Sequence, residues 1–227
     1  ARGRGPALPG GRAGWHNGSA PRGPGCRRAV VSIHGLGMSS AYFGRFARAR
    51  YARGAHPIAP DLPGFGASID GPSAGAEEHA TILADWADAL SIRGATWIGH
   101  SLGCNAVAHL ARLRPDVVKR AVCIGPLWSP RHPIRLLDAL IIDAFREPLA
   151  LYTHVARAYW RSGLGRWFAT YRRYAVDIRT APPPLEMFAG KRDPLVDRTA
   201  IANLTLLRGA HACHFSHPEE CAKAILG

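Results

Sequence analysis

The sequence predicts an α/β fold in which a mostly parallel central sheet has helices on both faces. Two observations support this prediction: short apolar runs alternate with segments of helical periodicity, and turn-forming residues follow several of the runs. A third observation is that residues 127–181 have helical patterns but no evident strand. We therefore expect one core, residues 29–126 and 182–227, with residues 127–181 as an inserted helical lid. A long helical crossover is the alternative for that interval.

Six short apolar segments are the predicted strands. They are residues 29–33, 56–60, 95–98, 121–125, 185–189 and 204–207. Helices are expected over residues 41–53, 77–91, about 102–112 and about 219–226. The helix over 77–91 has the clearest amphipathic pattern, because Ile82, Leu83 and Trp86 fall on one side of it.

Residues 1–28 are rich in Gly, Pro and Arg, so we expect a disordered or loosely packed basic arm. The 227 residues contain 29 Lys+Arg against 16 Asp+Glu, a net charge of +13. No aromatic platform or nucleic-acid motif accompanies this charge, so no nucleic-acid partner is expected. No run approaches the roughly 18 apolar residues of a membrane span, and the arm lacks the apolar segment of a secretory signal. We expect a cytoplasmic protein, and the sequence leaves its oligomeric state open.

Ser101 is the candidate nucleophile. It is the centre of the G-x-S-x-G run at residues 99–103, between a predicted strand and a predicted helix. In that context the pattern is typical of a nucleophile elbow. Gly99 and Gly103 remove side chains that would clash in the sharp turn. The serine hydroxyl would then project near a helix N-terminus, whose N–H groups favour developing negative charge.

Three further motifs occur together with this elbow. They are H-G-L-G at 34–37, D-L-P-G-F-G-A-S at 61–68 and G-K-R-D-P-L-V at 190–196. With these motifs in this order, the chain resembles the α/β-hydrolase fold superfamily, in the esterase-like branch that has a serine nucleophile. The resemblance covers about residues 29–227. Ser101 argues against the relatives that use Asp at this position, the epoxide hydrolases and haloalkane dehalogenases.

A serine nucleophile needs a base, and the base needs an acid that orients it. The resemblance implies the chain order Ser, acid, His. The acid position corresponds to Asp193, with Asp197 as the nearest substitute. Related sequences have the catalytic His seven residues before a Pro that opens the final helix, and His211 is seven before Pro218. His214 stays an alternative, because it matches a common His-Phe pairing.

The oxyanion hole requires two backbone donors directed at the tetrahedral oxygen. One is expected to be the N–H of Leu102, directly after the nucleophile, and the other that of Leu36. Gly35 and Gly37 would let the Leu36 loop approach closely. The resemblance implies that His34 braces this loop rather than acting as a base.

Other polar residues near the motifs have structural interpretations. We expect His100 to pack under the elbow, Asp61 to hold its turn and His217 to lie near the start of the final helix. The His-x-x-His pair at 211–214 has no third ligand at suitable spacing, so neither a metal nor another cofactor is expected. The five irregularly spaced cysteines suggest no disulfide framework.

Two features depart from the family pattern. The strands that normally precede the first His-Gly are not evident, so we expect a sheet that is short on one edge. Only 18 residues separate Asp193 from His211, and residues 197–203 leave room for about two helical turns. A shortened helix is therefore expected there.

The sequence predicts a serine hydrolase that cleaves a carboxylic ester, thioester or related acyl compound through an acyl-enzyme. The lid is rich in Trp and Tyr and would supply an apolar pocket for this small-molecule substrate. Its nine Arg against four acidic residues weakly favour an anionic substrate. One alternative is acyl transfer or C–C bond hydrolysis on the same triad, because a fold does not fix its chemistry. Another is a catalytically silent binding protein that retains the fold.

Overall fold

The computed structural model describes residues 29–51, 56–71, 73–126, 143, 145–174, 185–199 and 201–227. The predictions for the arm, residues 1–28, lie outside the described residues. So do those for residues 127–142 and 175–181 of the predicted lid.

The described strands form one parallel sheet of six strands. They are β1 (Ala29–Ile33), β2 (His56–Ile58), β3 (Ala95–His100), β4 (Val118–Ile124), β5 (Leu185–Gly190) and β6 (Leu204–Leu207). The spatial order is β2-β1-β3-β4-β5-β6, and every neighbouring pair is parallel. All five residues of β1 are buried, as expected for a central strand whose two faces are both covered. The predicted α/β class with a parallel central sheet is confirmed.

Helices of the described residues lie before, between and after these strands. They are α1 (Gly44–Tyr51), α2 (Ala76–Ala89), α3 (Gly103–Leu113), α4 (Leu149–Ser162), α5 (Leu164–Arg173), α6 (Cys213–Ser216) and α7 (Pro218–Leu226). A 3₁₀ turn over Ser40–Phe43 precedes α1, so the first predicted helix starts in a tighter conformation than expected. His217 is the residue that precedes α7, and Pro218 occupies the first helical position, where its missing N–H is harmless.

Apolar clusters cover both faces of the sheet. Consecutive residues of β3 illustrate this, because side chains alternate across a strand. Trp97 packs with Leu83 of α2 and Leu110 of α3, whereas Ile98 packs with Phe43 and other residues on the opposite face. Full burial of such a side chain contributes about 1.5–3 kcal/mol. This two-sided core fixes the carboxyl ends of the strands, where the sequence motifs lie.

β2 is a short edge strand of the described sheet. It has three residues and pairs only with β1 in the described part of the chain. Pro57 lies within it, and an edge position tolerates the loss of a ladder donor that a central strand would not. Within the described residues, the sheet is thus short on the edge where the sequence lacks evident strands.

The shortened helix expected over residues 197–203 is a wrong prediction. Residues 197–199 and 201–203 lie in turns and irregular backbone. Asp197 Oδ1 accepts hydrogen bonds from the N–H (3.0 Å) and the hydroxyl (2.6 Å) of Thr199. Such local side-chain bonds compete with helix formation. The chain therefore reaches β6 and His211 through turns.

The burial of two histidines predicts how the free energy of unfolding depends on pH. Burial lowers the pKa of His79 to about 4 and that of His214 to about 3. The unfolded chain, whose histidines titrate near 6.5, binds these protons first, so stability is lost as pH falls from about 6.5 towards the folded pKa values. Replacing His214 with Phe should reduce the loss of unfolding free energy between pH 7 and pH 5 by about 2 kcal/mol.

Urea denaturation at the two pH values measures this difference. His56→Gln is the matched control, because His56 is exposed on the edge strand, and it should keep the wild-type pH dependence. An H214F variant with the wild-type pH dependence would contradict the prediction.

Candidate active site

The turn between β3 and α3 holds Ser101 in a strained conformation. Its φ is +54°, in the left-handed region that non-glycine residues rarely adopt. The Ser101 N–H donates to the carbonyl oxygen of Ile124 at the end of β4 (2.9 Å), which fixes the turn to the sheet. A Cβ on Gly99 would lie 2.5 Å from the Gly103 oxygen, and one on Gly103 would lie 2.5 Å from the Ile33 oxygen. The tight packing of these backbones therefore requires both glycines.

The loop after β1 packs directly against the elbow. A Cβ on Gly35 would lie 3.0 Å from the Ser101 Cβ, so glycine permits this approach. The buried His34 donates from Nδ1 to the Gly35 oxygen (2.8 Å) and accepts the Leu62 N–H at Nε2 (3.0 Å). Burial lowers the pKa of His34, which suits this neutral tautomer. His34 thus connects the loop after β1 with the loop after β2.

Asp61 organises the loop after β2. Its two carboxylate oxygens accept the N–H groups of Ser40 (2.5 Å) and Ala67 (2.7 Å). A Cβ on Gly66 would lie 2.3 Å from the same carboxyl group. Asp61 therefore holds its own turn and also ties it to the 3₁₀ turn before α1.

Asp193 and His211 meet at the carboxyl ends of β5 and β6. His211 Nδ1 donates to Asp193 Oδ2 at 2.9 Å. The other carboxylate oxygen accepts the Leu195 N–H at 2.8 Å. Burial alone would raise the pKa of Asp193, but the charge and hydrogen bond of His211 outweigh it and lower that pKa. Burial would lower the pKa of His211, and the attraction of Asp193 reverses this and raises it to about 9.

His214 and Asp197 lie in other surroundings. The His214 ring packs against Tyr42, Phe43 and His100, with centroids 4.5–4.7 Å away. Neither of its ring nitrogens has a hydrogen-bond partner among the described residues. Asp197 instead contacts Thr199. The structure thus brings His211, and not His214, to the carboxylate of Asp193.

His100 lies beside His211. Its ring centroid is 4.8 Å from that of His211, and its Nε2 donates to the His211 carbonyl oxygen at 3.1 Å. Burial and the neighbouring histidines keep the pKa of His100 well below 6.5. His100 therefore packs as a neutral side chain between the elbow and the loop after β6.

A cavity of about 220 Å³ opens above the elbow. Ser101 and His211 both line it, as do Leu36 and Leu102, the two expected oxyanion residues. Leu102 immediately precedes α3, so its N–H belongs to the helix-terminal donors that lack an intrahelical acceptor. The cavity thus combines the elbow serine, the Asp193-bound imidazole and both candidate donor residues.

Helices α4 and α5, which lie in the interval predicted to be a lid, supply much of the apolar wall. Lining residues from α4 and α5 are Leu151, Tyr152, Val155, Tyr159, Trp167 and Tyr171. Trp167 stacks on Tyr171, with ring centroids 5.7 Å apart and planes 6° apart. Gly37 has φ +69°, and a Cβ there would lie 3.1 Å from both Tyr159 and Trp167. The loop after β1 is therefore in close contact with α4 and α5.

Two acidic residues that line the cavity, Asp143 and Glu147, were not predicted from the sequence. Asp143 Oδ1 accepts the His211 N–H at 3.0 Å, and Glu147 Oε1 accepts the Ala212 N–H at 2.6 Å. Their only sequence signal is their position as acids in an Arg-rich interval. The expectation of an anionic substrate came from the net charge of that interval, yet among the described residues the cavity is lined by these acids and by no arginine.

The chain belongs to the alpha/beta hydrolase fold family, whose family model matches residues 28–159. It is 29% identical over 173 residues to a pimeloyl-[acyl-carrier protein] methyl ester esterase of Vibrio cholerae serotype O1, an alignment that covers 71% of this chain. The same alignment covers 64% of that relative, so this chain spans somewhat less than two thirds of its length.

Solved structures share the fold. A membrane phospholipase A has a TM-score of 0.74 at 22% identity, with 89% of this chain and 78% of that one covered. A hydrolase from Oleispira antarctica has a TM-score of 0.72 at 16% identity, with 88% and 89% covered. At these identities the similarity establishes the fold alone. In the described part of the chain no helix has the length and apolar character needed to cross a bilayer.

The elbow predicts a sharp difference between two glycine substitutions. Gly99→Ala should lower the unfolding free energy by about 2 kcal/mol or more, because backbone atoms would have to move. Gly165→Ala is the matched control. Nothing lies within 4 Å of a Cβ there, in helix α5, so the variant should be unchanged or more stable by up to about 1 kcal/mol. Denaturant unfolding curves measure both, and equal effects of the two substitutions would contradict the prediction.

Proposed function

We propose that the chain is a serine hydrolase of carboxylic esters, with Ser101 as nucleophile, His211 as base and Asp193 as the orienting acid. The observation that carries this proposal is the 2.9 Å bond from His211 Nδ1 to Asp193, on the wall of the cavity that Ser101 also lines. A bond at Nδ1 leaves Nε2 as the nitrogen for proton exchange. This is the division of roles that the triad mechanism requires.

In the acylation step, Nε2 of His211 takes the Ser101 hydroxyl proton as the oxygen attacks the ester carbonyl carbon. The carbonyl oxygen becomes an oxyanion, which the N–H groups of Leu36 and Leu102 stabilise. The imidazolium, stabilised by the Asp193 carboxylate, then donates its proton to the leaving alcohol as the C–O bond breaks. The product is an acyl-enzyme on Ser101.

Deacylation repeats these steps with water as the nucleophile. His211 takes one proton from the water, and the hydroxide oxygen attacks the acyl carbon. The tetrahedral intermediate collapses, and the proton returns to Ser101 while the carboxylic acid leaves. No metal or other cofactor is required in either half of this cycle.

The cavity walls support a small ester with an apolar part. Aromatic and aliphatic side chains of α4 and α5 cover the space above Ser101, which suits an acyl or alkyl group. The relative from Vibrio cholerae is a methyl ester esterase by name, which favours a small alcohol as leaving group. We propose simple alkyl esters as the first substrates to test.

A second candidate concerns the acyl part of the substrate. The name of the same relative specifies an acyl group held on an acyl-carrier protein. Exposed arginines on α4 and α5 (Arg157, Arg161, Arg172 and Arg173) would suit an acidic surface on such a carrier. A comparison of free and carrier-linked methyl esters distinguishes the two candidates.

Acyl transfer and C–C bond hydrolysis on the same triad are the nearest competing reactions. Transfer would give a new ester when a competing alcohol is present, whereas hydrolysis gives the acid alone. A catalytically silent binding protein would be folded and yet fail to react with a fluorophosphonate. Product analysis and labelling of the wild-type chain separate these outcomes.

Ser101→Ala tests the nucleophile. The variant should lose fluorophosphonate labelling completely, and its kcat for a short p-nitrophenyl ester should fall by about 10⁴-fold or more. Ser162→Ala is the control, because its hydroxyl bonds to the Ala158 carbonyl at the end of α4, and it should retain labelling. Labelling of Ser101→Ala at the wild-type level would exclude Ser101 as the nucleophile.

The choice of base is tested by two histidine variants. His211→Ala should lower kcat by at least about 10³-fold, since His211 is the histidine that bonds to Asp193. His214→Phe should keep kcat within about threefold, because His214 packs as a neutral aromatic ring. Steady-state ester hydrolysis measures both. The opposite order of effects would transfer the role of base to His214.

A further inference from the structure

The lid segment before α4 is bonded to the loop that carries His211. Asp143 and Glu147 accept hydrogen bonds from consecutive amides of that loop, those of His211 and Ala212. The partners are 68 and 65 residues apart in sequence. Arg146, between the two acids, donates to the Arg192 carbonyl oxygen beside Asp193. Three side chains of one lid segment therefore hold the two loops that bring Asp193 and His211 together.

Glu147 is buried in surroundings that disfavour a charged side chain. It is 8% exposed, and its Oε2 has no hydrogen-bond partner among the described residues. Burial raises its pKa to about 7, although the Ala212 bond acts in the opposite direction. Burial raises the pKa of Asp143 as well. Desolvating two carboxylates beside one imidazole costs stability unless their charge is used.

We propose that Asp143 and Glu147 are positioning residues for the reaction, which hold the His211 loop to the lid and stabilise the imidazolium that forms during catalysis. This inference rests on the proposed function. The two acids act through His211, because their bonds go to backbone amides and not to reacting atoms. If the segment with Asp143 and Glu147 moves away, the His211 loop loses two hydrogen bonds and the imidazole loses two nearby negative charges.

Among the described titratable groups around His211, Asp193, Asp143 and Glu147 are the ones that carry charge as His211 titrates. The facing groups are Asp193 after β5, His100 on β3, His214 and Cys213 on α6, and Tyr42 on the 3₁₀ turn. The pKa values of His100 and His214 are lowered by burial, so both stay neutral near pH 7. Burial raises the pKa of Tyr42 far above neutrality, and that of Cys213 is also raised. Asp143 and Glu147 follow Asp193 among the groups that raise the pKa of His211.

The sign of the pH effect follows from this arrangement. The base must be neutral to accept the Ser101 proton, so kcat/KM of the wild-type chain should rise with pH through the pKa of His211, about 9. Glu147→Gln and Asp143→Asn keep an acceptor oxygen for the amide but remove the charge. Each should therefore lower the apparent pKa of this limb, by about 0.5–1 unit, with little change in KM.

Glu147→Ala removes the bond as well as the charge. Its kcat should fall by about 10–100-fold with KM less affected, since the loop that holds the imidazole is released. Glu220→Gln is the matched control. Glu220 accepts the Arg208 N–H on the same loop from α7, in exposed surroundings, so its loss should leave the pH profile and kcat unchanged.

The decisive measurement is the His211 titration by two-dimensional NMR of the full chain labelled with ¹⁵N-histidine, assigned with His211→Gln. It requires no turnover, so it tests the inference even if the wild-type chain hydrolyses no ester. A lower His211 pKa in Glu147→Gln and Asp143→Asn, but not in Glu220→Gln, supports the proposal. An unchanged His211 pKa in both acid variants overturns it. Absence of fluorophosphonate labelling in the wild-type chain would instead refute the proposed function.

Discussion

The hydrogen bond between His211 and Asp193 is the constraint on which the rest of the site depends. It requires the loops after β5 and β6 to meet at the sheet edge, and the parallel pairing of Gly190 with Leu207 provides this. A Cβ on Gly190 would lie 2.1 Å from the Ala210 oxygen. A Cβ on Gly125 would touch the His211 ring at 3.0 Å. Positions 125 and 190, on either side of this bond, therefore have no room for a side chain.

The elbow and the sheet could be predicted from sequence because their signals are local. Ser101 is surrounded by the glycines, strand and helix that force its conformation, all within about ten residues. The helix over residues 197–203 was wrong for a local reason as well, since Asp197 bonds Thr199 in a turn. Spacing before Pro218 favoured His211 over His214 but left both open. The choice depends on which ring faces Asp193, and that is a property of the tertiary packing.

Asp143 and Glu147 show what the sequence could not reveal. Their partners lie more than 60 residues away, and a helical pattern does not say which loop a helix end will contact. Composition weakly favoured an anionic substrate, because residues 127–181 contain nine Arg and four acids, whereas the described lining of the cavity contains acids and no arginine. Exposed positions on α4 and α5 hold Arg157, Arg161 and Arg172, whereas two of the acids turn inward. The net charge of a segment does not show which of its side chains face a cavity.

The buried carboxylate of Glu147, with one oxygen unpaired among the described residues, destabilises the fold. A residue that only covered the cavity would not need to be an acid. An unsatisfied buried polar atom costs about 1–3 kcal/mol, and a glutamine or an apolar residue at position 147 would remove the charge. The Glu147 carboxylate lies near His211, the imidazole that we propose changes its charge in each catalytic cycle, and the same desolvation strengthens the attraction between the two groups. In the proposed mechanism, the segment with Asp143 and Glu147 is therefore joined to the triad electrostatically as well as by hydrogen bonds, and its position sets part of the basicity of His211.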